Sequence, residues 1–156
     1  MTESNEKIIA LKIEPSRIVK KVELPPAEYK FQRMQMAVSN DCRAIDINDT
    51  YNGLGLEQYC LVFDDEFLIN GRAKLNPIAS YLYGYQKHGQ PLCGNVLIMK
   101  NFINADEELE TVGLSDEDVN IIKNFIDENI EEIFDVANEF ADNIIIQRML
   151  NMALSR

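Results

Sequence analysis

The side chains best spaced for a common chemical purpose are carboxylates. Glu128, Glu131, Glu132, Asp135, Glu139 and Asp142 recur every three or four residues. On a helix that spacing sets acidic groups about 5–6 Å apart along one face, close to the spacing of phosphates on a nucleic-acid strand. No nucleophile or base is interleaved, so the row suits electrostatic contact with a basic protein surface rather than bond cleavage. An amphipathic helix also needs a charged outer face, and that plainer reading stands beside the first. Like charges at i and i+4 each cost a few tenths of a kcal/mol. Lys123 is the only base between residues 106 and 142, so the face is mildly unfavourable unless something selects it.

Other candidates are more isolated. His88, in Gln86-Lys87-His88-Gly89-Gln90, could act as a lone general base, but without a partner motif it reads as a surface histidine. Asp64-Asp65-Glu66 could hold a divalent cation, yet lacks the glycine-spaced pattern of a calcium loop and reads as a solvated turn. Gly53-Leu54-Gly55 lacks the third glycine of a phosphate cradle. Tyr81, Tyr83 and Tyr85 offer an aromatic contact surface, or pack a helix end on the sheet. Cys42, Cys60 and Cys93 are odd in number, widely separated and without a Cys-x-x-Cys pair, and are expected to be buried thiols. No catalytic residue, metal or cofactor is expected, and the chain reads as a non-enzyme.

The elements that must position these groups are α and β in turn. Ile8–Ile13 and Arg17–Leu24 read as a hairpin, and Pro25-Pro26 introduces a helix over Ala27–Val38. Cys42–Ile47 alternates as a strand. Tyr59–Phe63, Asp64–Glu66 and Phe67–Ile69 form a hairpin pattern with Asn70-Gly71 as a further turn. Asn76 as N-cap, Pro77 at the first position and Gly84 as C-cap frame a short helix. Tyr85–Gly94 is irregular, and Asn95–Lys100 is apolar enough to be a central strand buried on both faces.

Ser115 with Asp118 forms a capping box, and Ile122, Ile126, Ile130, Ile133, Ala137, Phe140 and Ile144 continue at helical spacing, widened by Phe134, Ala141 and Ile145. Unbroken to Leu154, that helix would run roughly 60 Å, longer than a domain of this size is wide. A break is expected, or a second chain pairing on Ile133, Ala137, Phe140 and Ile144 as a C2 homodimer. The expected fold is α+β: an antiparallel or mixed sheet of four to six short strands, two short helices and a long C-terminal helix or helical hairpin. Residues 1–126 would form the core domain and 127–156 a helical extension.

Apolar residues make up 46% of the 156, enough for one core, and the net charge of -11 argues against direct nucleic-acid or anionic-membrane binding. The apolar runs are far short of the ~20 residues that cross a bilayer. Met1–Glu6 lacks a basic-then-apolar pattern, and the expected location is the cytoplasm of a bacterial host.

Leu75-Asn76-Pro77-Ile78-Ala79-Ser80-Tyr81-Leu82-Tyr83-Gly84, then Gly94-Asn95-Val96-Leu97-Ile98, then Gly113-Leu114-Ser115-Asp116-Glu117-Asp118, resembles a small uncharacterised domain family of phages, plasmids and integrative elements. The likeness covers about residues 7–126. It implies an accessory protein of a mobile element and supplies no catalytic residues. In that company the acidic row fits an anti-defence inhibitor of the antirestriction or anti-CRISPR type, occupying the basic groove of a host DNA-binding enzyme. Two alternatives remain: an enzyme of unrecognised type with a site near Asn76, His88 and Asn95, and a purely structural dimeric assembly protein.

Overall fold

The computed structural model describes residues 6–66 and 74–141. Strands β1 (Ile9–Ile13) and β2 (Val19–Glu23) form the expected hairpin, with Ile13 opposite Val19. Helix α1 (Lys30–Val38) starts later than Pro25-Pro26 predict. Tyr29 is extended and serves as N-cap, its N–H donating to Gln32 Oε1 at 3.3 Å. The next strand also begins late, as β3 (Ile45–Asp49) rather than at Cys42, because the Cys42 N–H bonds back to Ser39 O in the turn leaving α1.

Strand β4 (Tyr59–Asp64) pairs with β3 on one edge and with β5 (Val96–Ile103) on the other. The expected hairpin therefore does not supply the ladder partners of β4; Phe67–Ile69 and Asn70-Gly71 lie outside the described residues. Strand β6 (Leu109–Val112) pairs with the far half of β5, giving a six-stranded antiparallel sheet of order β2-β1-β5-β4-β3 with β6 beside β5. The outer strands of that order are β2 and β3.

Five α-helices accompany the sheet among the described residues: α1, α2 (Pro77–Tyr83), α3 (Tyr85–His88), α4 (Asp116–Glu128) and α5 (Ile130–Ala141). The fold is α+β, as the pattern of elements predicts. Alternation divides each central strand between two cores. Leu11, Ile13, Leu61, Phe63, Val96 and Ile98 pack with α2, α4 and α5 on one face. Ala10, Cys60, Val62, Leu97 and Met99 pack with Met34, Ala37 and Val38 of α1 on the other. Each fully buried Leu or Ile contributes about 1.5–3 kcal/mol relative to exposure. The apolar run from Val96 to Met99 is thus the double-sided central strand it resembles.

Two buried polar groups fasten the layers. Arg33 on α1 donates to Pro25 O at 3.0 Å and Leu24 O at 3.1 Å, tying the helix to the exit of β2. Asn76 accepts from the Ala79 N–H at 3.1 Å as the cap of α2, while its amide donates to Ile13 O at 3.0 Å and Gly94 O at 2.8 Å. One side chain thereby joins α2, the end of β1 and the approach to β5.

Asn76→Ala removes three hydrogen bonds from a fully buried position. It should lower unfolding stability by about 3 kcal/mol in urea titration, and Asn76→Asp should do at least as badly because its charge faces two carbonyl oxygens.

Candidate functional site

The acidic row is carried by two helices, not one. At Asn129 the backbone leaves the helix at φ −111°, ψ 20°, and the Asn129 side chain donates to Phe125 O at 2.8 Å. Glu128 ends α4, whereas Glu131, Glu132, Asp135 and Glu139 belong to α5; all five are exposed. Asp142 lies outside the described residues. The break gives part of the row a local reason: Glu131 and Glu132 occupy the first turn of a new helix, where carboxylates meet the positive end of the dipole. Asp135 and Glu139 have no such reason.

The apolar stripe is also divided. Ile133 and Val136 are buried, and Ile133 joins the core beneath α2. Pairing of a second chain on Ile133 would require unpacking the monomer, because the side chain is enclosed by its own fold. Ala137 is half-buried, Phe140 lies on the last turn of α5, and Ile144 lies outside the described residues. Phe134 remains 41% exposed, but the Arg17 guanidinium sits 4.5 Å from its ring centroid.

Facing α5 is a corner built by α2, α3 and the loop after β3. Gly84 closes α2 in the left-handed region at φ 77°, and α3 starts at once. The tyrosines divide there. Tyr83 turns to the sheet, edge-on to Phe63 at 5.8 Å, while Tyr81 and Tyr85 turn to α4 and α5. Tyr81 donates to Asn129 Oδ1 at 3.2 Å, and Tyr85 donates to Glu139. Burial and the Glu139 contact push the Tyr85 phenol up to about 12.

Tyr51 is held by its N–H, which donates to Leu82 O at 2.8 Å, and by two glycines. A Cβ on Gly84 would lie 3.0 Å from its side chain and one on Gly53 only 2.8 Å from its ring. Between this corner and α5 runs a groove of about 290 Å³, with Tyr51, Tyr81 and Tyr85 on one side and Glu132, Asp135 and Val136 on the other. Sequence reasoning singled out the carboxylates and Tyr81 and Tyr85 separately; nothing in the spacing joined them, and Tyr51 was missed.

The alternative site does not assemble as an open centre. The Asn76 amide is fully engaged in the fold, and Asn95 donates to Val38 O at 3.1 Å at the end of α1. His88 is exposed and stacked on Tyr83 at 3.9 Å. Asp64 accepts from the Glu66 N–H, and Glu66 pairs with Arg43 at 3.1 Å. Among the described residues no group of three or more His, Cys, Asp or Glu could hold a metal ion. Cys60 is buried as expected, but Cys42 and Cys93 are only half-buried. Burial pushes Cys42 and Cys93 up to about 11 and Cys60 to about 12, so none is thiolate at neutral pH. Among the described residues no helix is long and apolar enough to cross a membrane.

Asp118, expected from its spacing to cap α4 with Ser115, also joins Tyr59 and Lys100, which no spacing signals. Asp118, 5% exposed, accepts from Tyr59 Oη at 2.7 Å, Lys100 Nζ at 3.2 Å and Ser115 N at 2.9 Å. Tyr59 and Asp118 are buried while Ser115 and the Lys100 side chain reach the surface, and the constellation acts as a clasp between α4 and the sheet. Burial pushes the Asp118 carboxyl up, but its hydrogen bonds from Ser115, Tyr59 and Lys100 outweigh that and hold it below the usual range. No protein-family model, curated protein or solved structure matches the chain.

The depressed Asp118 group stabilises the fold fully above its unfolded value of about 4, and that contribution disappears as pH falls through the folded value. Asp118→Asn should cost about 2 kcal/mol at neutral pH, and urea titrations should show the gap from wild type narrowing steadily below pH ~4.

Proposed function

We propose that this is a non-enzymatic accessory binding protein of a phage or other mobile element, acting on a basic surface of a host protein as an anti-defence inhibitor. One observation carries the reading: Glu128, Glu131, Glu132 and Asp135 are exposed, and none has an ion-pair partner among the described residues. A surface helix whose charge served only solubility would gain from interleaved Lys or Arg at i+4. The dipole accounts for Glu131 and Glu132 but not for the remainder. With a net charge of -11, such a ridge steers a cationic surface towards α5 and repels nucleic acid.

Self-association through α5 has less support. Ile133 and Val136 are inside the monomer and Arg17 covers Phe134. The enzyme reading is weakened in turn by the structural engagement of Asn76 and Asn95.

The test is capture of partners from bacterial lysate at low and high salt, followed by purified binding measurements with the pair Glu128→Lys and Glu131→Lys. Affinity for the true partner should fall steeply as salt rises from about 50 to 500 mM, and by roughly tenfold on double reversal. A specific partner whose binding ignores both changes would sink the proposal.

A further inference from the structure

The groove between α5 and the α2–α3 corner sets part of the acidic ridge against an aromatic wall. Its one wall is aromatic: Tyr51, Tyr81 and Tyr85. The opposite wall carries Glu132 and Asp135. A planar cation suits such a slot, because its faces meet ring quadrupoles while its edges donate to carboxylates. The volume of about 290 Å³ lies at the bottom of the range of small-molecule sites, which fits one long side chain.

We infer that this groove is a subsite for an arginine side chain presented by a basic protein partner. The inference rests on the proposed function and names the anchor that the acidic ridge would steer into place. Three observations favour this occupant. Tyr51 is 41% exposed, yet its ring is wedged against Gly53 and Gly84, so an aromatic surface is held rigid towards solvent. The chain already brings one cation to that ring, since Lys87, which also lines the groove, has its Nζ 5.9 Å from the Tyr51 centroid. The same helix accepts a guanidinium on another side, where Arg17 covers Phe134. Arginine is favoured over lysine because its planar fork stacks and donates from two nitrogens at once, while an ammonium is a compact and strongly hydrated charge.

Lys87 is then an internal competitor. An incoming guanidinium displaces its ammonium from Tyr51, so the ring exchanges one cation for another that can also donate to Glu132 and Asp135.

The experiment uses the whole protein and three blocked Gly-Ser peptides, with a single central arginine, citrulline or lysine. Citrulline keeps the shape and removes the charge. Binding is followed by the ring proton signals of the tyrosines and by calorimetry. The arginine peptide should shift the signals of Tyr51, Tyr81 and Tyr85 and bind at least ~10-fold more tightly than citrulline or lysine versions. Tyr51→Leu, which leaves every charge in place, should weaken it about 5-fold. Lys87→Met should strengthen it by more than the equal charge change Lys7→Met outside the groove. Equal binding of the citrulline peptide, or of the lysine peptide, overturns the inference, and neither readout depends on a variant that folds. If Tyr51→Leu has no effect while Glu128→Lys with Glu131→Lys abolishes partner binding, the groove fails and the ridge survives. If the partner ignores the ridge reversal but the arginine peptide binds in the groove, the ridge fails instead.

Discussion

The architecture depends on β5 being buried on both faces and paired on both edges. Val96 to Met99 sends alternate side chains into two separate cores, and the strand hydrogen-bonds β1 and β6 on one edge and β4 on the other. A strand in that position has no freedom of register, because a slip by one residue would exchange the contents of the two cores. Everything placed by reference to β5 inherits that constraint. Asn76 reads its start through Gly94 O, and Asp118 reads its middle through Lys100.

From that reference the helices reach the surface in order. The Ser115–Asp118 box starts α4, the Tyr59 and Lys100 contacts fix its first turn to the sheet, and Asn129 ends it. Helix α5 then settles on α2 through Ile133 and Val136, which leaves Glu132 and Asp135 facing the tyrosine corner. The acidic surface is therefore positioned by buried groups well away from it. Its direction is a product of packing, while its charge is a product of sequence.

Signals that act within a few residues were legible. The Asn76 cap, the Gly84 left-handed end, the Ser115 box and the β1–β2 hairpin each follow from chemistry between near neighbours. Boundaries set by distant contacts were not. Strand β6 was invisible because Leu109-Glu110-Thr111-Val112 is largely exposed and pairs on one edge only. Length implied either a break or a pairing chain, and the position of the break at Asn129 was not legible, since the Asn129 side chain bonds its own helix. At the candidate site the carboxylates could be read from their spacing. The groove could not, because Tyr51 reaches it from a loop that no periodicity links to α5.

The outer strands of the sheet have a consequence of a different kind. An exposed strand edge is a template for addition of further strands, and open-ended addition leads to fibrils. Here β2 carries Lys20, Lys21 and Glu23, and β3 carries Asp46 and Asp49. Stacking of like edges would set ammonium against ammonium or carboxylate against carboxylate. The charges on these two borders thus oppose sideways addition to β2 and to β3.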